Sequence, residues 1–101
     1  MLVAFSVAPS GNGRADGSVH DAVAAAVRVV RNSGLPNHTG SMFTEVEGEW
    51  DEVMAVVKAA TDAVAPFGSR VSLVLKADIR PGYTGEITAK IERLEAELTQ
   101  P

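Results

Sequence analysis

Three sets of side chains in this sequence have the types and spacing to do chemistry. The first is an acidic run: Glu45, Glu47, Glu49, Asp51 and Glu52. Paired carboxylates do acid–base work when burial separates their pKa values. Glu49, Asp51 and Glu52 stand instead where the first turn of a helix favours negative charge. Glu47 precedes Gly48 at a strand end, beside Trp50, where a pocket mouth fits. The second set offers rings and a thioether: Trp50, Phe43 and Met42, next to the hydroxyl of Thr44. Trp50 is either a core plug or a stacking surface. The third set is polar positions on apolar strands: Ser6 on the first, Lys76 and Asp78 on the last. For Lys76 and Asp78 the structural alternatives are an exposed cross-strand pair or an intersubunit contact.

Several chemistries are excluded. With 0 Cys there is no thiolate nucleophile, Cys-ligated zinc, iron–sulfur cluster or disulfide. His20 and His38 lack a third ligand, so no metal site is expected. Gly11-Asn12-Gly13 lacks the spacing of a phosphate-binding loop and reads as a connector. No Ser–His–Asp or Cys–His arrangement follows from spacing. The residues show no strong catalytic constellation, and composition and spacing name no ligand.

The elements that must position these groups follow from periodicity. Val3, Phe5 and Val7 alternate with Leu2, Ala4, Ser6 and Ala8, giving a first strand that Pro9 ends. Ser18 with Asp21 fits a capping box. The helix it opens has the stripe Val19, Ala22, Val23, Ala26, Val27 and Val30, and stops at Ser33-Gly34. Asn37 to Glu47 holds two short strands with a turn near Gly40-Ser41. Met42, Thr44 and Val46 lie on one side of the second, and Phe43, Glu45 and Glu47 on the other. A second helix starts within Glu49 to Glu52, has the stripe Trp50, Val53, Val57, Ala60 and Val64, and is closed by Pro66-Phe67-Gly68. Arg70 to Ile79 is a last strand with Val71, Leu73, Leu75, Ala77 and Ile79 on its apolar face. Ile87, Ile91, Leu94 and Leu98 predict a third amphipathic helix. The order is βαββαβ plus a terminal helix, an α+β ferredoxin-like sandwich with an antiparallel sheet, in one domain over 1–101.

Composition agrees. Of 101 residues 46% are hydrophobic, with 15 Ala and 14 Val against five aromatics, so the core must pack closely. A net charge of −4 argues against nucleic acid, where phosphate neutralisation supplies the affinity. No apolar run is long enough for a membrane span, and the N-terminus lacks a signal peptide's basic region. A cytoplasmic chain is expected. Helices on one sheet face leave Ala4, Ser6, Ala8, Ser72 and Val74 on the other, which argues for a homo-oligomer.

Two stretches resemble a known family. Met42-Phe43-Thr44-Glu45-Val46-Glu47-Gly48-Glu49-Trp50-Asp51-Glu52-Val53-Met54, and the strand from Arg70 to Arg80, are similar to the small thiamine-binding proteins of the YkoF-like superfamily. Glu47-Gly48-Glu49-Trp50-Asp51-Glu52 is the most specific piece. The chain departs from that family at Ser41-Met42-Phe43-Thr44, where many members have Pro-Met-Gly-Thr.

The resemblance implies the same fold, dimers or tetramers built through the sheets and terminal helix, and binding of thiamine or its hydroxymethylpyrimidine part without turnover. No cofactor is expected beyond that ligand. On this basis Thr44 and Ser6 hydrogen-bond the pyrimidine, and Met42 with Trp50 or Phe43 contact ring faces. Glu47 or Asp78 offsets the thiazolium charge. Alternation puts Thr44 and Glu47 on opposite faces, so one pocket holding both would need a subunit junction. The rival readings are a small dimeric α+β barrel enzyme, for which His38 is the candidate, and a regulatory oligomer with an unknown effector.

Overall fold

The central strand decides the layout. In a computed structural model of the chain, which describes residues 1–11 and 19–100, β1 (Leu2–Ser10) runs between two antiparallel partners. The other elements are α1 (His20–Asn32), β2 (Asn37–Thr39), β3 (Thr44–Glu47), α2 (Trp50–Val64) with a 3₁₀ turn at Ala65–Phe67, β4 (Arg70–Asp78) and α3 (Glu86–Leu98). The sheet order is β2-β3-β1-β4. This is the ferredoxin-like arrangement that the element order predicts.

Val3, Phe5 and Val7 of β1 and Val46 of β3 meet Ala22, Ala26 and Val30 of α1 and Val53, Val57, Ala60 and Val64 of α2 in one core. The residues facing the opposite way on β1, Leu2, Ala4, Ser6 and Ala8, have no helix over them along α1 and α2. Small side chains allow close approach, since each buried methylene counts in a packed interior.

Several expectations are corrected. Pro9 does not end β1; it lies within the strand, opposite Val71. The Gly48 N–H donates to the Met1 carbonyl at 3.1 Å, so odd-numbered residues of β1 turn their main-chain groups toward β3. β3 stops at Thr44, opposite Phe5, so the N–H that Pro9 lacks would have met no strand. Trp50 opens α2 at 54% exposure and leaves the buried stripe, which begins at Val53. Val23 is 40% exposed despite its place in the α1 stripe. β4 ends at Asp78 rather than Ile79, and Leu73 on its apolar face is 43% exposed, because an edge strand reaches past the helices. Ser18, Asn12 and Gly13 lie outside the described residues; α1 is preceded by Val19 at its N-cap.

The α3 helix forms where its stripe predicts, but Ile91, Leu94 and Leu98 are all more than half exposed. The chain has a radius of gyration of 15.3 Å, against about 13 Å for a compact domain of this length. A helix that reaches away from the body accounts for the excess. Val53→Ala, which empties a fully buried site, should cost about 2 kcal/mol in urea denaturation. Leu94→Ala, measured at low protein concentration, should cost no more than about 0.5 kcal/mol.

Candidate functional site

A pocket opens where β3 parts from β1. The β2–β3 hairpin closes with the Gly40 N–H donating to the Phe43 carbonyl at 2.9 Å, leaving Ser41-Met42 at the tip. β3 therefore begins only at Thr44, opposite Phe5. Continuing the register would set Met42 opposite Val7, but Met42 is in the turn. Val7 keeps its N–H and C=O pointing toward β3 with no ladder partner on that side among the described residues.

The space this leaves is a small cleft of about 90 Å³, open to solvent. Phe5, Val7 and Met42 line it together with Val23, Val27 and Val30 of α1. Thr39, Ser41 and Thr44 add hydroxyls. The exposure of Val23 is explained here: it faces the pocket rather than the sheet. No Asp or Glu is among the described lining residues.

Three of the seven residues expected at the site thus meet in one place: Ser6, Met42 and Thr44. Alternation turns the Ser6 hydroxyl to the other sheet face, where Ser6 is opposite Val74. Phe43 is 38% exposed beside the hairpin tip and gives its carbonyl to Gly40. Sequence reasoning missed Val7, Thr39, Ser41 and Val23. The available signal was length: a nine-residue strand beside a four-residue one must leave an unpaired stretch.

Glu47, Trp50 and Asp78 lie at the other end of β1. Glu47 is 6% exposed and faces the side opposite Thr44. Its Oε2 accepts the Glu86 N–H at 2.9 Å and its Oε1 the Ile87 N–H at 3.0 Å. These are orphan donors at the start of α3, where the helix dipole favours negative charge. Gly85, the N-cap with φ +67°, has no side chain to do this. Glu86 accepts from Arg93, and Asp78 from Lys90. The Lys90 hydrogen bond, with its charge, holds the Asp78 carboxyl below the usual carboxylate range. That contact is therefore intact above the ordinary carboxylate pKa and is lost as pH falls through the lowered value. Trp50 lines a separate hollow with Ile79, Arg80 and Tyr83. The Arg80 guanidinium sits 3.6 Å from the Tyr83 ring centroid. His38 is 3.4 Å from Glu45. Among the described residues no group of three His, Asp or Glu could hold a metal.

An antiparallel sheet with two helices on one face and a pocket at the edge of its first strand defines a small ferredoxin-like domain. Comparison with known proteins gives the family. A model described as thiamine-binding protein matches residues 3–95. A UPF0045 protein of Mycobacterium bovis is 52% identical over 102 residues, covering 100% of this chain and 97% of the relative. One from Synechocystis is 32% identical, covering 97% and 79%. A hypothetical protein of Methanocaldococcus jannascii superposes with a TM-score of 0.82 at 30% identity, over 93% of this chain and 94% of the other. A Thermotoga maritima protein provisionally assigned to thiamine biosynthesis or salvage gives 0.74 at 29%, over 91% and 97%. The chain belongs to the thiamine-binding protein family.

Glu47→Gln keeps an acceptor and removes the charge, so it should weaken the α3 cap by about 1 kcal/mol. The Glu86 and Ile87 amides should then exchange roughly fivefold faster, while those of α2 are unchanged.

Proposed function

We propose that this protein binds thiamine or its hydroxymethylpyrimidine part, without turnover, in the pocket between α1 and the β2–β3 hairpin. The observation that carries this is the unpaired edge of Val7 beside Thr39, Ser41 and Thr44. An aminopyrimidine presents a donor and an acceptor on one edge. A strand residue presents N–H and C=O on the same side, which is the matching pair. The apolar walls from Phe5, Val23, Val27 and Val30 suit the ring faces, and Met42 can adapt to them.

The pocket's chemistry favours the neutral pyrimidine over the cationic thiazolium. Carboxylates are absent from its described lining, and Glu47 and Asp78 lie at the far end of β1 with partners of their own. In this reading the thiazolium of bound thiamine points to solvent. The role would be to sequester, carry or sense the vitamin inside the cell, as an assembly of identical subunits. Of the rival readings, the enzyme needs an acid or base in the pocket. His38, beside Glu45 and outside the lining, gives that no support.

Calorimetric titration tests the proposal. Hydroxymethylpyrimidine and thiamine should bind within about tenfold of each other, since the ring edge supplies the recognition. Thr44→Val should weaken both by about 1 kcal/mol, the value of a typical hydrogen bond, and Glu47→Gln should leave them unchanged. No heat and no shift in melting temperature at millimolar ligand overturns the proposal.

A further inference from the structure

Trp50 serves neither the core nor the pocket beside Val7, and it is exposed. A single exposed apolar residue is ordinary; a cluster of them marks a contact surface. Trp50, Ile79 and Tyr83 are all exposed and line one hollow of about 300 Å³, larger than the Val7 pocket. It lies at the opposite end of β1, where β3 gives way to α2 and β4 gives way to the loop after Asp78.

That loop builds a platform. Pro81 and Gly82 hold the two central positions of a four-residue turn, with Gly82 at φ +84°, the type II pattern. The Tyr83 N–H donates to the Arg80 carbonyl at 3.2 Å and closes the turn. The turn thus brings its first and last residues together, and the Arg80 guanidinium rests on the Tyr83 ring. Among the described residues no carboxylate pairs with Arg80. Asp78, two residues before it, pairs with Lys90, and Glu49, across the hollow, is tied into a capping box with Glu52. The charge left without a partner is positive.

We propose that this hollow is a second ligand site, which takes a flat aromatic ring carrying a phosphate or carboxylate. The ring would lie between the Trp50 indole and the free face of the Arg80 guanidinium, and the anion would meet the in-plane N–H donors of the same group. A guanidinium offers both surfaces at once, a plane for stacking and a fork of donors for an oxyanion. The volume is at the lower end of the range for small-molecule sites. A neutral ring would leave Arg80 without a counter-charge, and a cation would be repelled by it. The site therefore disfavours the thiazolium of thiamine and is separate from the pocket of the preceding section.

Trp50 is the only tryptophan, so its fluorescence reports on this hollow directly. Two matched pairs of probes isolate the charge: nicotinate with nicotinamide, and adenosine monophosphate with adenosine. Both anions should quench Trp50 saturably in the millimolar range, and the tighter of the two shows whether carboxylate or phosphate is preferred. Each should bind about tenfold more tightly than its neutral partner, the worth of a charge-assisted hydrogen bond. Arg80→Gln should erase that difference while leaving the melting temperature of the parent. Trp50→Ala, read by calorimetry, should lose binding of all four probes. Hydroxymethylpyrimidine should neither quench Trp50 nor displace adenosine monophosphate, so this result is read apart from that of the Val7 pocket. No saturable quenching by either anion at tens of millimolar overturns the proposal. Equal affinity for both members of each pair, or unchanged binding by Trp50→Ala, overturns it as well.

Discussion

The unequal lengths of the partners of β1 govern the molecule. β4 accompanies all nine residues of β1, whereas β3 accompanies only four of them, Leu2 to Phe5. A backbone group taken from water must be satisfied, so every unpaired position calls for an explanation. At Val7 the missing partner coincides with a solvent-open pocket, and the edge can be met by water or by a ligand. At Pro9 the position is filled by the one residue with no N–H to satisfy. The same full-length pairing that holds β4 in register leaves its outer side bare.

Glu47 is the second constraint. A helix that starts at Gly85 has no capping side chain of its own, and its first N–H groups would otherwise rely on water. The carboxylate arrives from 39 residues away and accepts two of them. With Asp78–Lys90 it ties α3 to the ends of two strands. These tethers explain how an amphipathic helix with three exposed stripe residues keeps a defined direction. Packing holds only its start, where Ile87 is half-buried and the helix meets β3; Ile91, Leu94 and Leu98 beyond it are more than half exposed.

Much of this was legible in the sequence. Val53, Val57, Ala60 and Val64 keep a helical period from position 53 to 64, and all are buried. Alternation correctly set Thr44 and Glu47 on opposite faces of the sheet. Trp50 misled because periodicity shows which side of a helix a residue occupies, not whether the sheet extends beneath it. Trp50, the first residue of α2, lies beyond the core that begins at Val53. The α3 stripe was read correctly, but periodicity says nothing of what covers a stripe. The Glu47 cap could not be read at all. It depends on a three-dimensional meeting of a strand end with a glycine-led helix, and acidic residues near a helix start are common in sequence without such a meeting.

β3 carries both ends of this logic in four residues. Thr44 borders the pocket on the helix side; Glu47 caps α3 on the other side. The strand is held on both flanks, by β1 and by β2. Thr44 and Glu47 thus join the pocket border and the α3 cap through one short strand. The carboxylate pairs with two main-chain donors whose geometry is fixed by the helix, so a shift of the strand must either move α3 or lengthen those bonds.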